Sequence, residues 1–210
     1  MTGGFRFPHR IYPILDELDG NGRSYVELTD ACLQAGVRFL QLRIKGRPTR
    51  EMIEIARLVV QRTDAAGASL IVNDRADIAA LVDAAGVHLG QDDLPPAAAR
   101  EMVGPDKIVG FSTHNLAQAQ DAAAAGAADY IGFGPIFLTT SKVNPDPAVG
   151  LSTLRQVRRC IDTPIVAIGG ISEDRVADVL GAGADAVAMI GDLVRAVDLA
   201  AKLQRLVALP

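Results

Sequence analysis

Eight short runs rich in Val, Ile, Leu and aromatic residues recur along this chain, each separated from the next by a segment with helical character. The runs are "RIYPILD", "FLQLRIK", "SLIVND", "GVHLG", "KIVGFST", "YIGFGPIF", "PIVAIGG" and "AVAMIG". Between them, segments such as "SYVELTDACLQAG", "TREMIEIARLVVQRTDAAG" and "SEDRVADVLGAG" carry apolar residues at helical spacing. Gly36, Gly67 and Gly126 stand where a left-handed cap would close a helix. One last helix is expected over "DLVRAVDLAAKLQRLVAL". Eight strand–helix units in one compact chain predict a closed (β/α)₈ barrel, the TIM barrel, as a single catalytic domain over residues 1–210. An open doubly wound sheet is the alternative, and it normally uses fewer strands.

With 210 residues, 49% of them hydrophobic, the chain can bury one large core but has no length for elaborate insertions. A formal charge of −4 argues against nucleic acid or an anionic membrane as the main partner. Charges or glycines interrupt every apolar run well short of a membrane span. The first ten residues, "MTGGFRFPHR", lack the apolar core of a signal peptide. Cys32 and Cys160 lie far apart without CxxC spacing, so both are expected to be buried thiols in a reducing cytosol. A cytoplasmic enzyme acting on small molecules is the resulting expectation; the oligomeric state stays open, a homo-oligomer included.

In a barrel the chemistry sits at the C-terminal ends of the strands. The second run alternates: Leu40, Leu42 and Ile44 point one way, and Gln41, Arg43 and Lys45 the other. Helices must cover the apolar face, so the polar trio is expected inside the barrel mouth, where two cations need anions and phosphate fits. A solvated edge strand would alternate in the same way, but a closed barrel has no edge. The third and fourth runs end in carboxylates, Asp74 after Asn73 and the Asp92–Asp93 pair after Gln91. Each aspartate could merely cap a helix. Beside a phosphate site, Asp74 with Asp93 or Asp92 would suit Mg²⁺, which takes one or two carboxylates plus phosphate oxygens and water.

Further along, Ser112 and His114 alternate onto one face at the end of the fifth run. A Ser–His nucleophile pair is conceivable there, but no acid orients the histidine, and a hydroxyl that donates to substrate is the better expectation. His88 is either a satisfied core residue or a pocket contact. Gly132 and Gly134 leave space over the barrel. Thr139, Thr140, Ser141 and Lys142 then form a hydroxyl-rich turn with one cation, in a connection long enough to be a lid or binding loop. "AIGGIS" and "AMIGD" after the last two strands match a recurrent phosphate grip of these barrels.

The set "QLRIK", "VNDRADIA", "GVHLGQDDLP", "GFSTH", "DYIGFGPIF" with "TTSK", "PIVAIGGI" and "GADAVAMI" resembles the thiamine-phosphate synthase family over nearly the whole chain. The resemblance implies condensation of a pyrimidine methyl diphosphate with a thiazole phosphate, carboxylated or not, to thiamine monophosphate and pyrophosphate. It implies that the run Gln41, Leu42, Arg43, Ile44 and Lys45, with Asn73, Ser112 and Lys142, holds the pyrimidine diphosphate. Of these, Arg43, Lys45, Ser112 and Lys142 would be catalytic. It places Mg²⁺ on Asp74 and Asp93, preferring Asp93 to Asp92, and the thiazole phosphate on Thr139, Thr140, Ser141, Gly170, Ile190 and Gly191.

Four positions depart from the family pattern. Ile44 replaces an acid, Leu15 a threonine, Ser141 a threonine and Gly191 a serine. The last change removes a side-chain donor and leaves the backbone N–H to hold the thiazole phosphate. The related thiazole tautomerases usually lack the "GQDD" half and carry histidine where Pro135 stands here. A non-catalytic phosphate-binding barrel would have no use for the Asp74/Asp93 pair. A Schiff-base aldolase on Lys45 or Lys142 is a further alternative, open to borohydride trapping.

Overall fold

The computed structural model of the protein describes residues 5–16, 22–139 and 146–209. Its strands are β1 (Ile11–Leu15), β2 (Phe39–Leu42), β3 (Ser69–Asn73), β4 (Gly86–Leu89), β5 (Ile108–Thr113), β6 (Tyr130–Phe133), β7 (Ile165–Ala167) and β8 (Ala186–Met189). The helices are α1 (Tyr25–Gln34), α2 (Thr49–Ala65), α3 (Ala76–Leu81), α4 (Pro96–Val103), α5 (Leu116–Ala125), α6 (Gly150–Cys160), α7 (Val176–Gly181), α8 (Gly191–Val194) and α9 (Leu199–Val207). A 3₁₀ turn, Glu173–Arg175, leads into α7. All strand pairs are parallel and follow chain order, with β8 closing onto β1, so the predicted (β/α)₈ barrel is formed.

Side-chain alternation divides the core into two layers. Leu40, Leu42, Leu70, Val72, Val87, Leu89 and Val109 face outward and pack beneath the helices. Tyr12, Ile14, Phe39, Ile71, Tyr130, Val166, Ala186 and Ala188 face inward and fill the barrel. Phe5 and Phe7, ahead of β1, pack against Phe39 and Tyr130 with ring centroids 5.1–5.6 Å apart, adding to the inner layer beside the first residues of β2 and β6. Two aspartates pin the strand starts. The Asp129 carboxylate accepts the Val109 amide at 2.7 Å and Arg100 at 2.6 Å; Asp185 accepts the Ile165 amide at 2.8 Å and Arg158 at 3.0 Å.

Local chemistry sets the helix ends. Ser24 and Glu27 form a capping box on α1, and Gly126 closes α5 in the left-handed conformation. The single C-terminal helix expected from the sequence is instead two. The Asp198 side chain accepts the Ala201 amide and starts α9 afresh, a local bond that competes with helix continuation. Val197, just before it, is 96% exposed, so a continuous helix would gain no burial there. The expectation of two buried thiols is also corrected: Cys32 is on the buried face of α1, whereas Cys160, at the end of α6, faces solvent.

Candidate active site at the strand C-termini

A cavity of about 500 Å³ opens at the C-terminal ends of the strands, a volume suited to small-molecule ligands. Its wall includes Gln41 of β2 and Arg43 just after it, Asn73, His88 and Ser112 from β3–β5, Thr139, Gly170 and Ile190 from the later loops, and Gly191 at the start of α8. Sequence-predicted residues from both expected substrate sites therefore border one space. Thr140, Ser141 and Lys142 lie outside the described residues.

Both cations of the second run have carboxylate partners within the protein. Arg43 is ion-paired with Asp16, the residue after β1, which is only 2% exposed. Lys45, half exposed at the mouth, is paired with Asp74. The expected helix-capping alternative fails for both aspartates, because the N-cap positions of α3 and α4 are Arg75 and Pro95, neither with a side-chain cap. Asp74 holds a left-handed φ of 64°, with its amide donating to the His88 carbonyl at 2.8 Å. Aspartate tolerates that conformation better than most side chains.

Asp93 turns inward while Asp92 is exposed. Its carboxylate accepts the Gly90 amide at 2.7 Å. Burial, and then the neighbouring Asp74 carboxyl with which it shares a hydrogen bond, push the Asp93 carboxyl above the usual carboxylate range; the Gly90 N–H opposes the rise. Two carboxyls in hydrogen-bonding contact need a proton between them or a cation in its place. Lys45, the ion-pair partner of Asp74, supplies one positive charge there, and a divalent cation would compete for the same carboxylates. Among the described residues no group of three or more His, Cys, Asp or Glu side chains could hold a metal. Such a cation would rest on two carboxylates and otherwise on ligand and water oxygens, the habit of Mg²⁺.

Ser112 does not pair with His114. The Ser112 hydroxyl lies 2.9 Å from His88 Nε2, and His88 Nδ1 lies 3.0 Å from the Tyr130 hydroxyl. His114 Nδ1 donates to the Gly134 carbonyl at 2.7 Å. His88 is thus both a buried residue with partners and part of the cavity wall. From Ser112 the line through His88 runs on to the Tyr130 phenol, where a Ser–His–acid triad would continue to a carboxylate.

On the β6–β8 side, Gly170 has a φ of 63°, and a side chain there would overlap the Leu138 carbonyl. The strand-end loops meet backbone to backbone at that point. At Gly191 the obstacle is a side chain: the Arg195 guanidinium occupies the space where a Cβ would stand, and Arg195 also lines the cavity. Pro135, where tautomerases carry histidine, sits in the same wall.

Leu42 and Ile44 are buried in the layer between strands and helices, so their side chains face away from the cavity and only their backbone could meet a ligand. Leu15 shares that layer, so its departure from the family pattern leaves the site chemistry untouched. The sequence reading missed Asp16, Tyr12, Tyr130 and Arg195. Asp16 was findable by the rule that singled out Asp74, a carboxylate directly after a strand. Arg195 carried no such signal, because it follows a short helix whose end was not foreseen.

The geometry agrees with what this chain is similar to. The sequence profile described as thiamine monophosphate synthase matches residues 11–193. The thiamine-phosphate synthase of Chloroflexus aurantiacus is 46% identical over 200 residues, covering 95% of this chain and 92% of that one. That of Moorella thermoacetica is 44% identical over 196 residues, covering 93% of each. The solved thiamine phosphate pyrophosphorylase of Pyrococcus furiosus superposes with a TM-score of 0.85 at 37% identity, over 96% of this chain and 95% of that one. A closed barrel with paired carboxylates at its mouth, matched along nearly its whole length by these proteins, belongs to the thiamine monophosphate synthase family.

Proposed function

We propose that the protein joins a pyrimidine methyl diphosphate to a thiazole phosphate, giving thiamine monophosphate and pyrophosphate, with Mg²⁺ on Asp74 and Asp93. The observation that carries this reading is the Asp74–Asp93 carboxyl pair with Lys45 at the strand ends, directly after Asn73 of the cavity wall, on which Arg43 also lies. The carbon–oxygen bond at the pyrimidine methylene breaks, and its electron pair leaves with pyrophosphate. The lone pair of the thiazole nitrogen forms the new carbon–nitrogen bond. That nitrogen carries no proton, so the step needs no general base.

Arg43 and Lys45 stabilise the charge that grows on the leaving diphosphate, exchanging part of their pairing with Asp16 and Asp74. Lys142 is proposed to join them. Asn73 and Ser112 orient the pyrimidine, with Gln41 beneath it, so that the reacting atoms meet in one orientation. Gly170, Ile190 and Gly191, with Thr139, Thr140 and Ser141, receive the thiazole phosphate, and Arg195 adds a cation beside it. When bound, Mg²⁺ supplies positive charge to the diphosphate oxygens.

The test is an assay of the purified protein with both substrates and Mg²⁺, following pyrophosphate and thiamine phosphate together. Equimolar appearance of both is expected. Pyrophosphate without thiamine phosphate, or neither product, would overturn the reading.

A further inference from the structure

Five polar side chains cross the otherwise apolar barrel interior in one continuous line. Gln41 Nε2 lies 3.0 Å from the Tyr12 hydroxyl, Tyr12 lies 3.0 Å from the Tyr130 hydroxyl, Tyr130 lies 3.0 Å from His88 Nδ1, and His88 Nε2 lies 2.9 Å from Ser112 Oγ. Tyr12 and Tyr130 are sealed from solvent, and burial holds both phenols far above their ordinary range, so both keep their protons. A sealed chain of this kind has a direction, which its ends determine.

An amide nitrogen can only donate, so Tyr12 accepts from Gln41. Among the described residues the Tyr12 hydroxyl has one other partner, Tyr130. Its proton goes there, because a buried hydroxyl proton without an acceptor is costly. Tyr130, accepting from Tyr12, passes its own proton to His88 Nδ1. A ring that accepts at Nδ1 carries its hydrogen on Nε2, and Nε2 faces Ser112. Ser112 therefore accepts from His88, and its own proton is turned toward the cavity. The opposite direction would need the Gln41 amide turned over, its oxygen toward Tyr12 in place of the nitrogen the structure puts there, and would spend the Ser112 proton on His88.

The backbone is built around this line. Any side chain at Gly110, in β5, would overlap both the Tyr130 ring and His88 Nδ1. The glycine keeps the two in contact.

We propose that Gln41, Tyr12, Tyr130 and His88 are positioning residues, which hold His88 in the Nε2–H tautomer and commit the Ser112 hydroxyl to donate to the pyrimidine-side substrate. This deepens the synthase reading and rests on it for the identity of that substrate, but the tautomer does not depend on any substrate.

Histidine-selective ¹⁵N labelling of the substrate-free protein, read well above the ordinary histidine range, reports which ring nitrogen is protonated. His88→Asn assigns the signal against His9 and His114. A single tautomer with Nδ1 unprotonated is expected; protonated Nδ1 in the wild-type protein would overturn the proposal. In the kinetic arm, Tyr130→Phe should lower kcat about tenfold, the loss of one hydrogen bond, with the KM for thiazole phosphate unchanged. On a Ser112→Ala background the same change should cost little more, because both act through one hydroxyl. Full additivity would mean that Tyr130 acts only through packing and would sink the relay. A wild-type protein with no turnover would remove the synthase reading and leave the tautomer measurement to decide the relay on its own.

Discussion

The Arg195 guanidinium lies over Gly191, in the space that a side chain at Gly191 would need. The two positions, four residues apart, are therefore coupled: glycine at one leaves room for the cation of the other at the cavity wall. Gly191 is not in the left-handed region, so its backbone does not bar a side chain; Arg195 does.

From this pairing, Arg195→Ala is expected to weaken thiazole-phosphate binding about tenfold, the loss of a hydrogen bond to a charged group at an exposed position. Pyrimidine-diphosphate binding should be unchanged. Gly191→Ser alone should bring no gain, although the lost serine suggested one, because the new side chain displaces Arg195. On the Arg195→Ala background it should recover part of the loss. Calorimetric titration of the four proteins checks this, and independent effects at the two positions would refute the coupling.

Asp93→Asn should weaken divalent-cation binding by about tenfold or more, since it removes one of the two proposed charged ligands. Stability should hold or rise, because the Asn carbonyl can still accept the Gly90 amide and repulsion from Asp74 is relieved. Mn²⁺ titration by electron paramagnetic resonance in the presence of inorganic pyrophosphate measures the first effect, and thermal melting the second. Unchanged Mn²⁺ affinity would remove Asp93 from the cation site.

Leu42→Ala should cost about 2–5 kcal/mol of stability, the usual range for truncating a buried leucine. KM for both substrates should stay within about twofold in the folded protein, since the side chain lies outside the cavity. Urea unfolding and steady-state kinetics on the same preparation separate the two. A large change in KM with little loss of stability would return the Leu42 side chain to the site.

Thiol titration should find one fast-reacting cysteine in the native protein and two after unfolding. Cys160 is exposed, whereas burial pushes the Cys32 thiol up to about 12, so it stays protonated and unreactive at ordinary pH. Loss of the fast reaction in Cys160→Ser identifies the residue; two fast thiols in the native protein would contradict the burial of Cys32.

The barrel was legible because strand and helix periods are local properties. Each run needed only its own alternation and its bounding glycines to declare itself, and the count of eight did the rest. The carboxylates at the ends of β3 and β4 were legible for the same reason: placement at the end of a strand is placement at the mouth of a barrel. The C-terminal helix failed because apolar spacing continues through Val197, while the Asp198 cap that interrupts it is a competing local bond that periodicity does not register.

Which groups meet inside was another matter. The sequence by itself determined the closed barrel, the inward face of Gln41 and the location of the candidate site. Only the tertiary structure decided that Arg43 answers Asp16, that Ser112 answers His88 rather than His114, and that Tyr12 and Tyr130 join Gln41 to His88. Those partners come from β1, β2, β4, β5 and β6, and they converge only when the sheet closes with Asn73 beside His88 and Gly110 beside Tyr130. Alternation along one strand tells which way a side chain points. What it points at depends on the register between strands that are dozens of residues apart, and that register is a property of the closed barrel.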